Sequence, residues 1–271
     1  MKRLLLLVLL AQNIWAGPPK KEEDFSFAMI RYGGESWEKN EEMINHHVRF
    51  CIPKFLRWLN KKDLIQSHEE VVLVDLSDDA IFKYPCLFMG GRYGFELTAK
   101  EKSQLKIHLE RGGFLFLDDC GGKKERHEKQ GSFSAQIHEL LQTLLPEGQW
   151  QVLPLDHEIY RVPFQFTAGL PAFFGKEDVP LRNLGAGKGR KGRGGEGFFW
   201  RNHMVAFFSD ADLSAMWVWG GGRDGGIPAQ SSLLFDLPTV SMNDAVAREM
   251  SEELEQAYQI GANVIIYATT H

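Results

Sequence analysis

The chain has no excess of positive charge. Its 31 Lys and Arg residues are outnumbered by 36 Asp and Glu residues, and the formal net charge is −5. Because general nucleic-acid binding needs a basic surface, this balance argues against nucleic acid as a partner. The sequence also lacks an internal repeat, and beyond its first residues it lacks an apolar run long enough to span a bilayer. It therefore predicts neither a repeat protein nor an integral membrane domain.

Cysteine is also scarce, with Cys51, Cys86 and Cys120 as the full set. An odd number leaves at least one thiol unpaired, and a domain of this size has enough core to fold without a disulfide. Cys86 begins one apolar strand and Cys120 ends another, so neighbouring parallel strands would hold the two sulfurs too far apart to bond. We expect three free, mostly buried thiols.

The first residues have the composition of a targeting segment. Lys2 and Arg3 precede the apolar run Leu4–Leu10, and a small residue follows at a position suited to cleavage. This pattern predicts a signal peptide over residues 1–16, followed by a linker over residues 17–24. The mature protein is then expected to be periplasmic or secreted, soluble, and without a transmembrane segment.

Beyond the linker, strand-like and helix-like segments alternate, which is typical of βαβ units. The fold class predicted over residues 25–271 is a single α/β domain, with a mostly parallel sheet and helices on both faces. The predicted strands are Phe25–Tyr32, Val71–Leu76, Pro85–Gly90, Phe114–Leu117, Trp150–Leu153 and Met204–Phe208. The predicted helices are Glu41–Leu59, Thr98–Arg111, Phe133–Leu145 and Asn243–Thr269.

Local signals refine three of these segments. Thr98 and Glu101 have the spacing of a capping box, so the second helix should begin at Thr98. Pro53 lies inside the first helix and predicts a kink or two shorter helices. Segment 185–197 is rich in glycine and basic residues, and this composition predicts a flexible surface loop. Its Gly187-x-Gly189-x-x-Gly192 string does not predict a dinucleotide-binding loop, because it neither follows a buried strand nor opens a helix.

Polar, glycine and aromatic residues follow several of the predicted strands. Because the carboxyl ends of parallel strands meet at one edge of the sheet, where open α/β folds bind ligands, we predict a ligand-binding cleft there. Its candidate residues are Arg31, Tyr32, Gly33, Gly34, Trp37, Gly91, Arg92, Asp118, Asp119, Asp156, Ser209, Asp212 and Trp217. Asp118 and Asp119 should point to opposite faces of their strand, one into the cleft and the other toward a helix start.

Cys120 is the candidate nucleophile, with His157 as its candidate base. A buried structural cysteine is the favoured interpretation, because Asp118 and Asp119 beside the thiol would raise its pKa. The aspartates have oxygen ligands suited to Mg²⁺ or Ca²⁺, but helix capping is their favoured role. His46 and His47 are adjacent and do not have the spacing of a zinc site. We therefore predict no metal ligand and no cofactor.

Several motifs along the chain resemble those of one bacterial family, the domain of unknown function 4159. They are Arg31-Tyr32-Gly33-Gly34-x-x-Trp37, Tyr84-Pro85, Phe95-x-Leu97, Gly112-Gly113-Phe114-Leu115-x-x-Asp118-Asp119, Leu153-Pro154-x-Asp156-His157, Ser209-x-x-Asp212 and Gly261-x-Asn263-x-x-x-Tyr267. The family is similar in fold to the class I glutamine amidotransferase-like superfamily, which includes trehalose-utilisation-like proteins. The resemblance implies a flavodoxin-like sheet and no established activity. It also places Cys120 at about the position of the amidotransferase nucleophile, while the His-x-Glu partner of those enzymes has no match.

The favoured function is an exported module that binds a ligand or partner in the cleft at the strand ends. Its partner is expected to be an envelope protein or a small molecule such as a carbohydrate. One alternative is a hydrolase or amidotransferase-like enzyme that uses Cys120 and His157, or a metal bound by aspartates. Another is a carbohydrate-binding protein, in which aromatic rings stack on sugars. The candidate rings are those of Trp37, Tyr93, Trp217 and Trp219.

Overall fold

The computed structural model describes residues 24–33, 41, 44–120, 132–167, 170, 195–219 and 244–271. The strands within these ranges form one seven-stranded sheet in the order β2-β1-β3-β4-β7-β6-β5. The strands are β1 Ala28–Arg31, β2 Val72–Asp75, β3 Cys86–Gly91, β4 Phe114–Asp119, β5 Gln149–Val152, β6 Glu196–Trp200 and β7 His203–Ser209.

The sheet is mostly parallel, as predicted. The pairs β2–β1, β1–β3, β3–β4 and β4–β7 are parallel, and β7–β6 and β6–β5 are antiparallel. The register places Asp118 between Gly90 and Ser209, and Asp119 beside Gly91. The ends of β3, β4 and β7 therefore lie at one edge, which we call the carboxyl edge.

Helices cover both faces of the sheet. They are α1 Ile52–Lys61, α2 Ala99–Glu110, α3 Phe133–Leu144, α4 Leu213–Trp219 and α5 Asp244–Thr270, with short 3₁₀ turns at Asp79–Lys83 and Glu158–Tyr160. One apolar cluster joins α1, α4 and α5 to one face, and a second joins α2 and α3 to the other. Alternate residues of β4 serve the two clusters: Phe114 and Phe116 belong to the first, and Leu115 and Leu117 to the second.

Two local predictions for the helices are confirmed. Thr98 caps α2: its hydroxyl accepts from the Glu101 N–H at 3.2 Å, and the Glu101 carboxylate accepts from the Thr98 N–H at 2.7 Å. The predicted irregularity near Pro53 is a π-helical turn, His47–Cys51, which leads directly into α1. Pro53 lacks an N–H and crowds the carbonyl four residues before it, so a wider turn relieves the conflict.

The antiparallel strand β6 was not predicted, and it corrects the end of the predicted loop, because Glu196 and Gly197 belong to this strand. β6 joins β7 through Arg201 and Asn202, which have positive φ angles of 50° and 67°. Such a turn usually contains Asn-Gly or Asp-Gly, and without glycine it leaves no clear hairpin signal in the sequence.

Helix α5 continues through Gly261, a residue that is unfavourable in a helix interior. A Cβ atom at this position would lie 2.8 Å from Cζ2 of Trp217 and 3.0 Å from Cζ of Phe55. The rings of Phe55 and Trp217 stack with centroids 4.3 Å apart. Gly261 is therefore explained by the close approach of α5 to this aromatic pair rather than by a helix break.

Candidate functional site

Asp118 connects the carboxyl edge to the start of α4. Its carboxylate accepts from the backbone N–H groups of Leu213 at 3.1 Å and Ser214 at 2.8 Å, and from the Ser214 hydroxyl at 2.6 Å. Asp118 and Ser214 are both fully buried. The expectation that one of the two aspartates caps a helix start is confirmed for Asp118. The capped helix follows β7, however, and does not follow β4.

The same serine leads to a buried histidine and a buried thiol. The Ser214 hydroxyl oxygen lies 3.3 Å from Nε2 of His47, and Sγ of Cys120 lies 4.0 Å from the same nitrogen. Sγ of Cys120 also lies 3.7 Å from the Ser214 hydroxyl oxygen. Asp118, Ser214, His47 and Cys120 thus form a continuous buried array, although they come from three separate parts of the chain.

Burial keeps the histidine and the thiol of this array uncharged. It lowers the pKa of His47 to about 3, with the positive charges of His46 and Arg92 acting in the same direction. Burial also raises the pKa of the Cys120 thiol well above its usual range, and the charges of Asp212 and Asp118 raise it further. At neutral pH the site therefore holds a neutral imidazole beside a protonated thiol, and not the thiolate–imidazolium pair of an activated cysteine.

The carboxyl group of Asp118 is itself perturbed. Burial raises its pKa to about 6, and the charge of Asp212 adds to this effect. The hydrogen bonds from Ser214 and Leu213 act in the opposite direction. A neutral group in place of this carboxylate would remove a desolvation cost but would lose charge-assisted hydrogen bonds to the helix start.

The backbone at Cys120 extends the sheet and does not form a strained elbow. Its N–H donates to the Gly91 carbonyl at 2.8 Å, and its own carbonyl accepts from Nε of Arg92 at 3.2 Å. Cys120 is not among the described residues with positive φ angles. The sharp strand-to-helix turn that exposes a nucleophile in hydrolases of related architecture is thus not formed at this residue.

His157 does not meet Cys120, which corrects the pairing expected from the sequence. The His157 side chain caps the 3₁₀ turn Glu158–Tyr160, and its ring centroid lies 5.9 Å from that of Tyr267 in α5. The Tyr267 ring also lies 5.9 Å from Phe114, the first residue of β4, whereas Cys120 follows the last. The chain leaves β5 at the carboxyl edge but runs back along α5, so His157 lies near the opposite end of β4.

Residues predicted for the cleft at the ends of β1 and β3 have structural contacts. The buried hydroxyl of Tyr32 donates to the Gly90 carbonyl at 2.8 Å. Gly33 has a φ of 72°, and its N–H donates to the Glu101 carboxylate at 2.8 Å. A side chain on Gly91 would collide with the Phe133 ring. These three residues are explained by the architecture of the edge.

The other predicted ligand-binding residues are dispersed. Arg31 is exposed and forms a two-point ion pair with Asp75 at 2.7 and 3.1 Å. Asp156 is exposed beside His157. The Ser209 hydroxyl is buried and accepts from the Ala211 N–H at 3.1 Å. Gly34 and Trp37 lie outside the described residues.

Trp217 is a core residue, contrary to the ligand-binding role expected for it. It is fully buried and stacks on Phe55, and its indole N–H donates to the Ala257 carbonyl at 3.0 Å. A ring enclosed in this way has no face to offer a sugar. Tyr93, another candidate for stacking, is 43% exposed.

Asp119 and Asp212 complete the polar set. Asp119 points to the other face of the sheet, and its charge contributes to raising the pKa of His138. Asp212 has a φ of 57° and is 1% exposed. One carboxylate oxygen of Asp212, one ring nitrogen of His47 and Sγ of Cys120 all lie within 4.8 Å of one another. Among the residues that the structure describes, these three side chains have the donor atoms and the proximity to hold a metal ion.

Sequence reasoning rejected His47 as a metal ligand because it lies next to His46, and it did not consider Ser214. A signal for His47 was present, since it lies three residues after Ile44 and four before Cys51, on the buried stripe of its helical segment. The contact between His47 and Ser214 joins residues 167 positions apart. No local pattern marks Ser214.

The fold and this edge define an α/β protein with a mostly parallel sheet and a buried polar array at the ends of its central strands. The chain belongs to the family described as Domain of unknown function (DUF4159), whose model matches residues 26–269. A comparison with curated proteins gave no match. None of the helices within the described ranges is long and apolar enough to cross a membrane.

Proposed function

We propose that this chain is an exported ligand-binding protein, and that its ligand site lies at the carboxyl edge around Arg92, Asp119, Cys120 and Asp212. The observation that carries this proposal is the buried array formed by Asp118, Ser214, His47 and Cys120. Burying polar groups costs free energy even when they are paired, and natural proteins retain such sets preferentially where they function.

The order of the parallel strands supports a flavodoxin-like domain. The order β2-β1-β3-β4-β7 corresponds to the doubly wound order 2-1-3-4-5. In that arrangement the connections reverse direction between β1 and β3, and ligands bind in the crevice beyond this point. Tyr32 and Gly33 lie on one side of this crevice, and Gly91 and Arg92 lie on the other. We also propose that residues 25–271 form a single domain, and that its fold is of the class I glutamine amidotransferase-like type.

Arg92 favours a polar ligand with an anionic group. Its side chain is only partly buried and is held at the edge by the hydrogen bond to the Cys120 carbonyl. A guanidinium group presents its donors in a fixed fork that matches carboxylate and phosphate oxygens. Carbohydrate binding is less well supported, because Trp217 lies in the core and cannot stack on a sugar. Among the described residues, Tyr93 is still exposed enough to do so.

The binding experiment measures the thermal stability of the protein in the presence of a chelator. The probes are succinate, glycerol phosphate, glucose and trehalose, each at millimolar concentration. A ligand present at about 100 times its Kd adds about 2.7 kcal/mol to stability. We expect an anionic probe to raise the Tm of the wild type and to leave Arg92→Met unchanged.

The matched control is Arg111→Met, which removes an exposed arginine at the end of α2. This variant should respond to the probe as the wild type does. A response to the sugars alone would favour the carbohydrate alternative. No response to any probe, or an equal response in Arg92→Met, would overturn the proposed site.

The enzyme alternative now depends on His47, because His157 lies elsewhere. Alkylation of Cys120 by iodoacetamide at neutral pH, followed by peptide mass spectrometry, distinguishes the two functions. We expect slow labelling, similar to that of buried Cys51 and Cys86. Fast labelling of Cys120 that His47→Gln abolishes would favour a cysteine nucleophile.

The export proposal is supported by Lys2, Arg3 and the apolar run Leu4–Leu10. Expression of residues 1–271 in a bacterial host should yield an envelope fraction that contains protein cleaved near Ala16. Intact mass and N-terminal sequencing measure this outcome. Recovery of the uncleaved chain from the cytoplasm alone would contradict export.

A further inference from the structure

We infer that His47, Cys120 and Asp212 form a binding site for a divalent cation of the zinc class. The inference deepens the proposed function, because it rests on the same carboxyl edge and names an ion that would occupy it. It departs from the sequence prediction, which named neither a metal ligand nor a cofactor.

The distances fit one small ion. A tetrahedral zinc ion, with bonds of about 2.0–2.3 Å, separates neighbouring ligand atoms by roughly 3.3–3.7 Å. Nε2 of His47 and Sγ of Cys120 are 4.0 Å apart, and the Asp212 oxygen lies within 4.8 Å of Sγ and of a ring nitrogen of His47. Side-chain movements of a few tenths of an ångström to about one ångström would bring all three atoms to bonding distance.

Three elements supply the three ligands, and each ligand has a defined backbone position. His47 is the first residue of the π-helical turn, and π-turns of this kind are frequent at functional sites. Cys120 is held at the end of β4 by the hydrogen bond to Gly91. Asp212 directly precedes α4 and has a left-handed φ of 57°, which is uncommon for a residue with a side chain.

The histidine is prepared to act as a ligand. His47 is 1% exposed, and its Nδ1 has no hydrogen-bond partner within the described ranges, whereas Nε2 points to Cys120 and Ser214. Because Ser214 donates its hydroxyl proton to Asp118, Nε2 is the donor to Ser214 in the absence of an ion. Binding of an ion would shift the ring proton to Nδ1 and leave the lone pair of Nε2 directed into the cluster. Metals bind the neutral imidazole through such a lone pair.

The chemistry of the three donor atoms, a nitrogen, a sulfur and an oxygen, favours one class of ion. A thiolate and an imidazole favour zinc or cobalt, whereas Mg²⁺ and Ca²⁺ prefer sites made of oxygen atoms. Binding would break the Cys120 S–H bond, release that proton to solvent and form the metal–sulfur bond without any change of oxidation state. Three protein ligands leave one coordination position for water or for a ligand's anionic group, which is the pattern of catalytic rather than structural zinc sites.

Ser214 would support the ligands without binding the ion. Its hydroxyl group is fixed by Asp118 at 2.6 Å and lies next to both Nε2 of His47 and Sγ of Cys120. Groups in this position orient metal ligands, and their loss typically weakens metal affinity by about 10- to 100-fold. Ser214→Ala should therefore bind the ion with a Kd raised by about that factor.

Cobalt is the probe for the site, because its spectrum reports the ligands. The full chain is treated with chelator, which is then removed, and the protein is titrated with Co²⁺. We expect a sulfur-to-cobalt charge-transfer band in the near ultraviolet together with the intense visible bands of tetrahedral cobalt, in a ratio of one ion per chain. Zn²⁺ should abolish these bands by competition, and Mg²⁺ should not.

Variants assign the ligands. Cys120→Ser should lose the charge-transfer band, and His47→Gln and Asp212→Asn should weaken binding by at least tenfold. Cys86→Ser removes another buried thiol at the far end of β3 and should retain the full spectrum. Circular dichroism establishes that each variant is folded, and a rise in the Tm of the wild type with Zn²⁺ provides a second readout.

A folded wild type without the charge-transfer band, or a band that survives Cys120→Ser, would overturn the metal site. The thermal-stability measurements with the four probes, made in the presence of a chelator, test the proposed function separately from the metal site. Probe binding that depends on Arg92 in the absence of metal, together with a failed cobalt titration, would reject the metal site alone. Cobalt binding without a response to any probe would reject the proposed ligand site and retain the metal site.

Discussion

A histidine is buried at each end of the parallel sheet. Comparing the two shows how a histidine that only packs differs from one that could take part in a functional site. His108 lies near the amino end of β4 and His47 lies at its carboxyl edge. Burial lowers the pKa of both, to about 4 and to about 3. Each also has one ring nitrogen without a hydrogen-bond partner in the described part of the chain.

Their neighbours differ. The His108 ring packs over the backbone of Gly113, where any side chain would collide with it, and bonds to the Phe114 backbone. His47 instead faces a thiol and a hydroxyl. A buried neutral histidine is thus insufficient evidence of a functional site. The donor atoms within reach of the imidazole make the difference.

The largest effect should come from the cap at the carboxyl edge. Asp118→Ala leaves two backbone N–H groups and the Ser214 hydroxyl buried without their acceptor, so we expect the free energy of unfolding to fall by about 3 kcal/mol. Urea denaturation measures this loss. Asp118→Asn keeps an acceptor and should lose only about 1 kcal/mol.

The matched control for that cap is Asp78→Ala. Asp78 accepts from the Ala80 N–H at 2.8 Å at an exposed turn, so its loss should cost about 1 kcal/mol or less. If Asp78→Ala and Asp118→Ala lowered the free energy of unfolding equally, Asp118 would stabilise the protein no more than an exposed cap does.

The second largest effect is the pH dependence of stability that we expect from His108, near the amino end of β4. Above about pH 6.5, His108 is neutral in both the folded and the unfolded chain. As the pH falls from about 6.5 to about 4, the unfolded chain binds a proton that the folded chain refuses, so stability is lost. The shift corresponds to about 3 kcal/mol at most.

Unfolding free energies measured from about pH 7 to about pH 4 should therefore fall less steeply in His108→Gln than in the wild type. The two curves should converge at low pH, since the wild type has lost its advantage there. Parallel curves would show that the imidazole of His108 is protonated as readily in the folded chain as in the unfolded one.

A smaller loss of stability is expected from a change in packing near the amino end of β4. Gly113→Ala places a methyl group against the His108 ring and should cost about 2 kcal/mol, because the buried ring has little room to move. In a His108→Ala background the same change should cost almost nothing. A double-mutant cycle measures the coupling, and simple additivity would contradict the proposed contact.

The smallest effect on stability should come from Asp119→Asn. Asp119 points away from the Asp118 cap, so the free energy of unfolding should change by less than about 1 kcal/mol. Binding of the anionic probe should change instead, as measured by the shift in Tm. A large loss of stability without any change in binding would assign Asp119 to the scaffold.

The sequence by itself determined most elements of this fold, because their signals are local. Strands buried on both faces appear as apolar runs, and Thr98 and Glu101 mark the start of α2 within four residues. Pro53 indicated an irregular helix through the chemistry of its own backbone. β6 escaped prediction because its turn, Arg201-Asn202, adopts positive φ angles without glycine.

Only the tertiary structure decided which groups meet at the carboxyl edge. The sequence indicated Cys120 and the two aspartates after β4, but it selected His157 where the structure has His47. Cys120 contacts a histidine 73 residues earlier and a serine 94 residues later. Such contacts depend on the angles at which α1 and α4 pack on the sheet. Those angles follow from the interlocking of many side chains, such as Phe55, Trp217 and Gly261, rather than from any local pattern.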